Sequence, residues 1–170
     1  MVAADLAGAE ALYPTEKFEV FFRYAARFKV PFTIHAGEAA GADSVKAAVS
    51  FGAKRIGHGV RIFEDEDVMR LVKEEGVTLE MCPTSNRMTR AVTDMSKYPL
   101  MEYLEQGIKV TVNTDDPGIE GTTIKEEFRY LEQTFGLTPE QERVILGNAV
   151  DAAFTTAEVK EELRKQLGLL

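Results

Sequence analysis

Hydrophobic positions along this chain switch repeatedly between two periods. Short apolar runs of strand type stand at 2–6, 32–34, 55–56, 77–82 and 108–112. Between them, apolar residues recur at helical spacing. Phe18, Phe21, Phe22, Ala25 and Phe28 predict one helix, and their aromatic stripe is expected to be core. Gly41-Ala42-Asp43-Ser44 signals the start of a second helix over 45–51. A third spans 64–75, with Val68, Leu71 and Val72 inward and Gly76 closing it. Pro99 suits the first turn of a helix over 100–106. Ile124, Phe128, Leu131 and Phe135 share a face of the next helix, opened by Thr123. Thr138-Pro139-Glu140-Gln141 joins a capping box to a proline at the first position, for a helix running to about Ala153. A final, mostly solvated helix covers 156–167. Residues 84–97 are expected to be a polar loop, long enough to be functional.

Strands and helices thus alternate, which implies parallel strands joined by right-handed crossovers. The fold class is α/β: a partial (β/α) barrel of TIM type, with five strands each followed by a helix. A closed barrel takes eight such units in roughly 250 residues. The 170 residues read as a single domain, 1–170, that is part of one.

Composition narrows the functional classes. The chain is 45% hydrophobic and 28% charged, the balance of a soluble globular protein. A net charge of −8 argues against nucleic acid or an anionic membrane as partner. No apolar run is long enough to span a bilayer, and no signal-peptide pattern opens the chain. A lone cysteine, Cys82, forms no internal disulfide and reads as a small buried hydrophobe, so a cytoplasmic location is expected.

The chemistry lies where apolar strands stop. The chain's two histidines, His35 and His58, and the pair Asp115-Asp116 each follow a strand. A parallel sheet or barrel gathers such ends on one face, where active sites of this architecture sit. His35 and Asp115 are donor types that zinc accepts, and Glu38 is placed to reach the same pocket as a proton shuttle. His58 can accept a proton from a metal-activated water or stabilise developing negative charge. Asp116 can accept a hydrogen bond from substrate, and Gly8 can present its backbone N–H where a side chain would obstruct approach. Taken singly, each has a plainer reading. A strand-end histidine is commonly structural, Asp115-Asp116-Pro117-Gly118 is an ordinary turn, and Thr84-Ser85-Asn86 can merely cap a helix.

Five motifs in order resemble the C-terminal part of the adenosine deaminase family. They are Asp5-Leu6-Ala7-Gly8, Thr33-Ile34-His35-Ala36-Gly37-Glu38, Arg55-Ile56-Gly57-His58-Gly59, Cys82-Pro83-Thr84-Ser85-Asn86 and Asn113-Thr114-Asp115-Asp116-Pro117. The resemblance implies an eight-stranded α/β barrel with one catalytic zinc, held in part by His35 and Asp115. It implies that Glu38 protonates purine N1 while zinc-activated water attacks C6. His58 would orient or deprotonate that water, with Ser85 as a candidate for holding His58. Asp116 would bond N7 and Gly8 N3, and the products would be ammonia and an inosine-type purine. The family's His-x-His, which supplies two more zinc ligands, has no counterpart in these residues, and Ala9 stands where Asp is usual. Zinc is therefore expected to bind the isolated chain weakly, with His58 as a possible third ligand. The alternative is a catalytically inactive remnant, or half of a split enzyme that binds a partner. The edges at 2–6 and 108–112 are expected to be open, inviting self-association, a companion N-terminal half, or the chain's own termini.

Overall fold

The computed structural model describes residues 2–170. Five parallel strands form one sheet in sequence order: β1 (Ala4–Leu6), β2 (Phe32–Ala36), β3 (Arg55–His58), β4 (Thr78–Met81) and β5 (Lys109–Val112). The helices are α1 (Glu19–Arg27), α2 (Ala42–Ser50), α3 (Glu66–Glu74), α4 (Pro83–Met88), α5 (Leu100–Glu105), α6 (Pro117–Glu120), α7 (Ile124–Phe135), α8 (Pro139–Ala152) and α9 (Ala157–Gln166). The expected βα alternation is present from the first strand to the last.

Register divides the sheet into two unlike faces. Ile34, Ile56, Leu79 and Val110 align across β2 to β5 and are completely buried. They form the core with the helices, in contact with Val45, Val68, Val72 and Leu100. One residue along, Asp5, Thr33, Arg55, Thr78 and Lys109 align on the opposite face. Above them lies a second polar row of His35, Gly57, Glu80 and Thr111. Because side chains alternate along a strand, these rows point away from the helices. Thr33 Oγ1 donates to Glu80 Oε2 at 2.7 Å, and Arg55 pairs with Glu80 at 2.9 Å. The Arg55 guanidinium also lies 3.9 Å over the Phe154 ring, so the segment after α8 reaches the lower end of β3. The inner face of this sheet is thus a polar surface.

Among the described residues, β1 pairs only with β2 and β5 only with β4. Part of the β5 edge is occupied from within the chain. Asn148 of α8 donates Nδ2 to the Val110 carbonyl at 3.0 Å. Asn113 N–H reaches Met81 O on the β4 side, so Val110, three residues earlier, faces the other way.

Two sequence expectations change. Residues 84–97 do not form a plain loop, because α4 begins at Pro83 with Cys82 as its N-cap residue. Proline stops the strand and at the same position starts a helix, since N1 needs no N–H donor. The phenylalanine stripe is not core throughout: Phe22 is 4% exposed, but Phe21 is 69% and Phe28 70% exposed. Helix α1 presents one side to the sheet, with Phe22 packed on Phe32 and Phe51, and turns the rest away.

Candidate active site

At the C-terminal ends of the strands, side chains distant in sequence meet. His35 is the penultimate residue of β2, His58 closes β3, and Asp115 follows β5. One donor atom from each of these three lies within 4.8 Å of the others. The imidazoles stand edge to face with centroids 5.1 Å apart. Glu38, two residues beyond β2, places Oε2 3.6 Å from His58 Nε2, and Asp115 Oδ2 lies 3.9 Å from the same nitrogen. An open cavity of about 380 Å³ is lined by His35, His58, Cys82, Asn113 and Asp115. A larger depression of about 670 Å³, beside α3 and α5, has ordinary surface side chains such as Glu66, Arg70 and Lys73. Only the first has converging histidines.

Backbone strain marks the same place. His58 has φ 65° and Asp115 φ 60°, both in the left-handed region that costs a side-chain-bearing residue energy. Gly59 follows His58 at φ 64°, and a Cβ there would meet Leu79 Cδ2 at 2.6 Å. Gly57, facing His35 across the strand pair, would set a Cβ 3.1 Å from the ring. Gly57 therefore lets the two imidazoles approach, and Gly59 lets the chain turn past Leu79.

A layer of hydrogen bonds behind the rim fixes its orientation. Asn86, completely buried on α4, places Nδ2 3.0 Å from His58 Nδ1 and donates to Glu38 Oε1 at 3.4 Å. Its Oδ1 accepts from Tyr98 OH at 3.0 Å. With the amide so oriented, His58 Nδ1 is an acceptor and Nε2 faces Glu38 and Asp115. Ser85, expected to hold His58, instead donates Oγ to Asp115 Oδ2 at 2.8 Å. The two residues are adjacent on a helix and so project about 100° apart. One serves Asp115 and the next serves His58. Thr89, one turn on from Ser85, donates Oγ1 to Glu38 Oε1 at 2.9 Å.

Asp5 accepts from, or pairs with, His35 Nδ1 at 3.2 Å and leaves Nε2 available. A carboxylate behind a histidine in this manner is how ligating imidazoles are oriented. Two imidazoles and a carboxylate, with an open side toward the cavity, match the donors that zinc takes. His35, His58 and Asp115 therefore form a candidate metal site.

Asp116 occupies the N-cap position of α6 but makes no capping bond there, so its exposed carboxylate is uncommitted. Gly8 lies at the edge of a small cavity of about 80 Å³ with Glu10 and His35. The backbone adds a reason of its own for glycine there. A Cβ would meet nothing within 4 Å, and it is φ +147° that favours glycine. Sequence reading missed Asn86, Thr89, Asp5 as a partner of His35, and Glu10, which binds the loop carrying Glu38. Asn86 and Asp5 stood inside quoted motifs, but only the fold identifies what they touch.

Electrostatics separates the two histidines. The hydrogen bond to Asp5 raises His35 above its ordinary value of 6.5 against the effect of burial. Burial lowers His58 below the same value, outweighing the nearby Glu38. His35 thus favours the proton in the folded chain, a contribution present below about pH 6.5 and lost as pH rises through its native value. His58 acts oppositely, and stability falls as pH drops below about 6.5. In the metal-free chain, imidazole NMR should show His35 titrating above 6.5 and His58 below it. Asp5→Asn should lower the His35 midpoint, let that of His58 rise as the neighbouring charge is lost, and remove the His35 contribution to stability on the acid side.

Similarity to known proteins agrees with this geometry. The family profile "Adenosine deaminase" matches residues 1–168. The adenosine deaminase of Haemophilus ducreyi is 45% identical over 163 residues, 96% of this chain and 47% of its own length. That of Erwinia tasmaniensis is 40% identical over 168 residues, 98% of this chain and 51% of its own. Among solved structures, the adenine deaminase of Arthrobacter aurescens superposes with TM-score 0.94 at 31% identity, over 99% of this chain and 52% of that one. The chain spans about half the length of the relatives it matches. With the barrel-type sheet and the strand-end site already in place, the match settles the ancestry: this chain belongs to the adenosine deaminase family.

Proposed function

We propose that this chain carries the catalytic rim for hydrolytic deamination of adenosine, or a closely related amino-purine, to an inosine-type product and ammonia. The observation that carries this reading is the meeting of His35, His58 and Asp115 within 4.8 Å, with Glu38 alongside. Adenosine ranks ahead of adenine because the adenosine deaminases of two bacteria are 45% and 40% identical to the chain.

Zinc, held by His35 and Asp115, would supply Lewis acidity to activate water at C6. The chain's residues divide the remaining work. Glu38, aimed by Thr89 and Asn86, delivers a proton to purine N1. His58, kept neutral by burial, orients the attacking water or takes its proton through Nε2; that proton departs on the C6 amino group as ammonia, and the C6 hydroxyl proton returns to Glu38. Asp116 faces purine N7, and the Gly8 N–H donates to N3. In the isolated chain His58 completes a three-donor set, which leaves no second role for it. A companion polypeptide bringing further imidazoles would release His58 to the water.

The edge of β1, and the part of the β5 edge that Asn148 does not cover, favour such a companion over a second copy. Five strands already cover five of the eight positions of a closed barrel, so another five would overfill it. Three strands with their helices fit, and the exposed Val20, Phe21, Tyr24 and Phe28 on α1 offer them an apolar face. The alternative is a remnant that folds and pairs without turning over. An adenosine-to-inosine absorbance assay with zinc, with and without a polypeptide supplying the three absent strands, separates the two. The proposal expects turnover when both are present. No turnover with a bound companion and saturating zinc would leave the remnant.

A further inference from the structure

Glu10 lies outside every residue assigned a chemical role above, yet it has an unusual set of partners. Its Oε1 accepts from Gly37 N–H at 2.7 Å. Its Oε2 accepts from Glu38 N–H at 3.2 Å, Ala39 N–H at 2.8 Å and Ala40 N–H at 2.9 Å. One carboxylate thus gathers four consecutive amides of the loop between β2 and α2. At its other end the residue closes the preceding turn, donating its own N–H to Gly8 O at 2.9 Å.

The loop can wrap in this way because of Gly37, at φ +71°, where a Cβ would fall 2.7 Å from Val45 Cγ2. Residues 37–40 have no strand partner and precede the first turn of α2. Without Glu10 their N–H groups would need other acceptors. Bonds of this kind, to a charged acceptor, are roughly twice as strong as neutral ones. Burial alone would raise the Glu10 pKa, but the Ser44 hydroxyl and these amides outweigh it and hold the group below the ordinary carboxylate range.

We infer that Glu10 is a positioning residue, a latch that fixes the separation between the Gly8 turn and the Glu38 carboxyl. The inference rests on the proposed function, in which these two groups address N3 and N1 of one purine ring. Those nitrogens are held at a fixed spacing by the ring, so the two protein groups must keep a fixed spacing as well. Gly8 and Glu38 stand on different strand-end loops, and one carboxylate bridges them. A glutamine in its place accepts through a single oxygen, and its NH₂ would oppose at least one of the four N–H donors.

The test is NMR of the whole chain, comparing wild type with Glu10→Gln and Glu10→Ala. In both variants the amides of Gly37–Ala40 should shift upfield and exchange at least about tenfold faster, the loss of roughly one charge-assisted bond. The Asn86 side-chain amide and the Thr89 resonances, which report on Glu38, should move with them. Amides of Ile34, Ile56 and Val110 should stay in place, and formate added to Glu10→Ala should restore the loop signals. Unmoved Thr89 and Asn86 signals would overturn the latch. So would equal movement of the core amides, which would make Glu10 a general stabiliser. None of these readouts needs turnover. A chain that behaves as described yet never deaminates with a bound companion and saturating zinc refutes the proposed function alone. A chain that deaminates with Thr89 and Asn86 unmoved refutes the latch alone.

Discussion

Asn86→Ala is expected to destabilise the chain by about 2–5 kcal/mol, the cost of leaving two buried polar groups without partners. Asn86 and Tyr98 are 0% and 4% exposed, and the His58 side chain is 2% exposed. Alanine would strand His58 Nδ1 and Tyr98 OH together and leave a small void. Water has little access to repair either loss. Glu38 would keep its Thr89 bond, so the damage is concentrated on His58. Ser85→Ala removes one bond to a part-exposed carboxylate and should cost only about 1 kcal/mol. Urea unfolding of the two variants provides the comparison. A loss below about 1 kcal/mol for Asn86→Ala would mean that the network does not hold His58.

The second large effect concerns zinc. The chain alone should bind it weakly, and a polypeptide supplying two further imidazoles and three strands should tighten binding at least about a hundredfold, or about 3 kcal/mol. A catalytic zinc site uses about three protein ligands and keeps one position open. In the chain by itself, the third ligand must be His58. That imidazole is already engaged by Asn86 and held in a strained backbone conformation. Drawing the three donors inward from 4.8 Å toward the shorter separations of a shared ion would pull on both restraints. Two additional imidazoles remove that demand. Calorimetry with zinc, in the presence and absence of the companion, measures the difference. Equal affinities in the two experiments would mean that the chain's own donors suffice.

Much of the architecture was legible because parallel strands announce themselves by short apolar runs. The runs ending at His35, His58 and Asp115 marked both the strands and the face on which chemistry collects. The register on that face was not legible. Thr33, Arg55 and Glu80 read as interruptions of apolar runs, yet they line a polar inner surface that only sheet geometry reveals. Helix α4 was hidden because Pro83 serves equally as a strand stop and a helix start. The stripe from Phe18 to Phe28 misled because periodicity shows that a helix has an apolar face but not what covers it. The hydrogen-bond layer was the least legible part. Ser85 and Asn86 are adjacent and similar in chemistry, and which one reaches His58 depends on the rotation of α4. Glu10 reaches residues 27 to 30 positions away, and no local pattern encodes that contact.

In the chain by itself, His35, His58 and Asp115 are expected to share one cation on the rim beside Glu38. The chain contains only two histidines, so imidazole NMR during a zinc titration tests this directly. The predicted result is that the His35 and His58 signals move together, with one midpoint, and that Asp115→Ala weakens both responses alike. Zinc that binds while one histidine or neither responds would contradict the shared site.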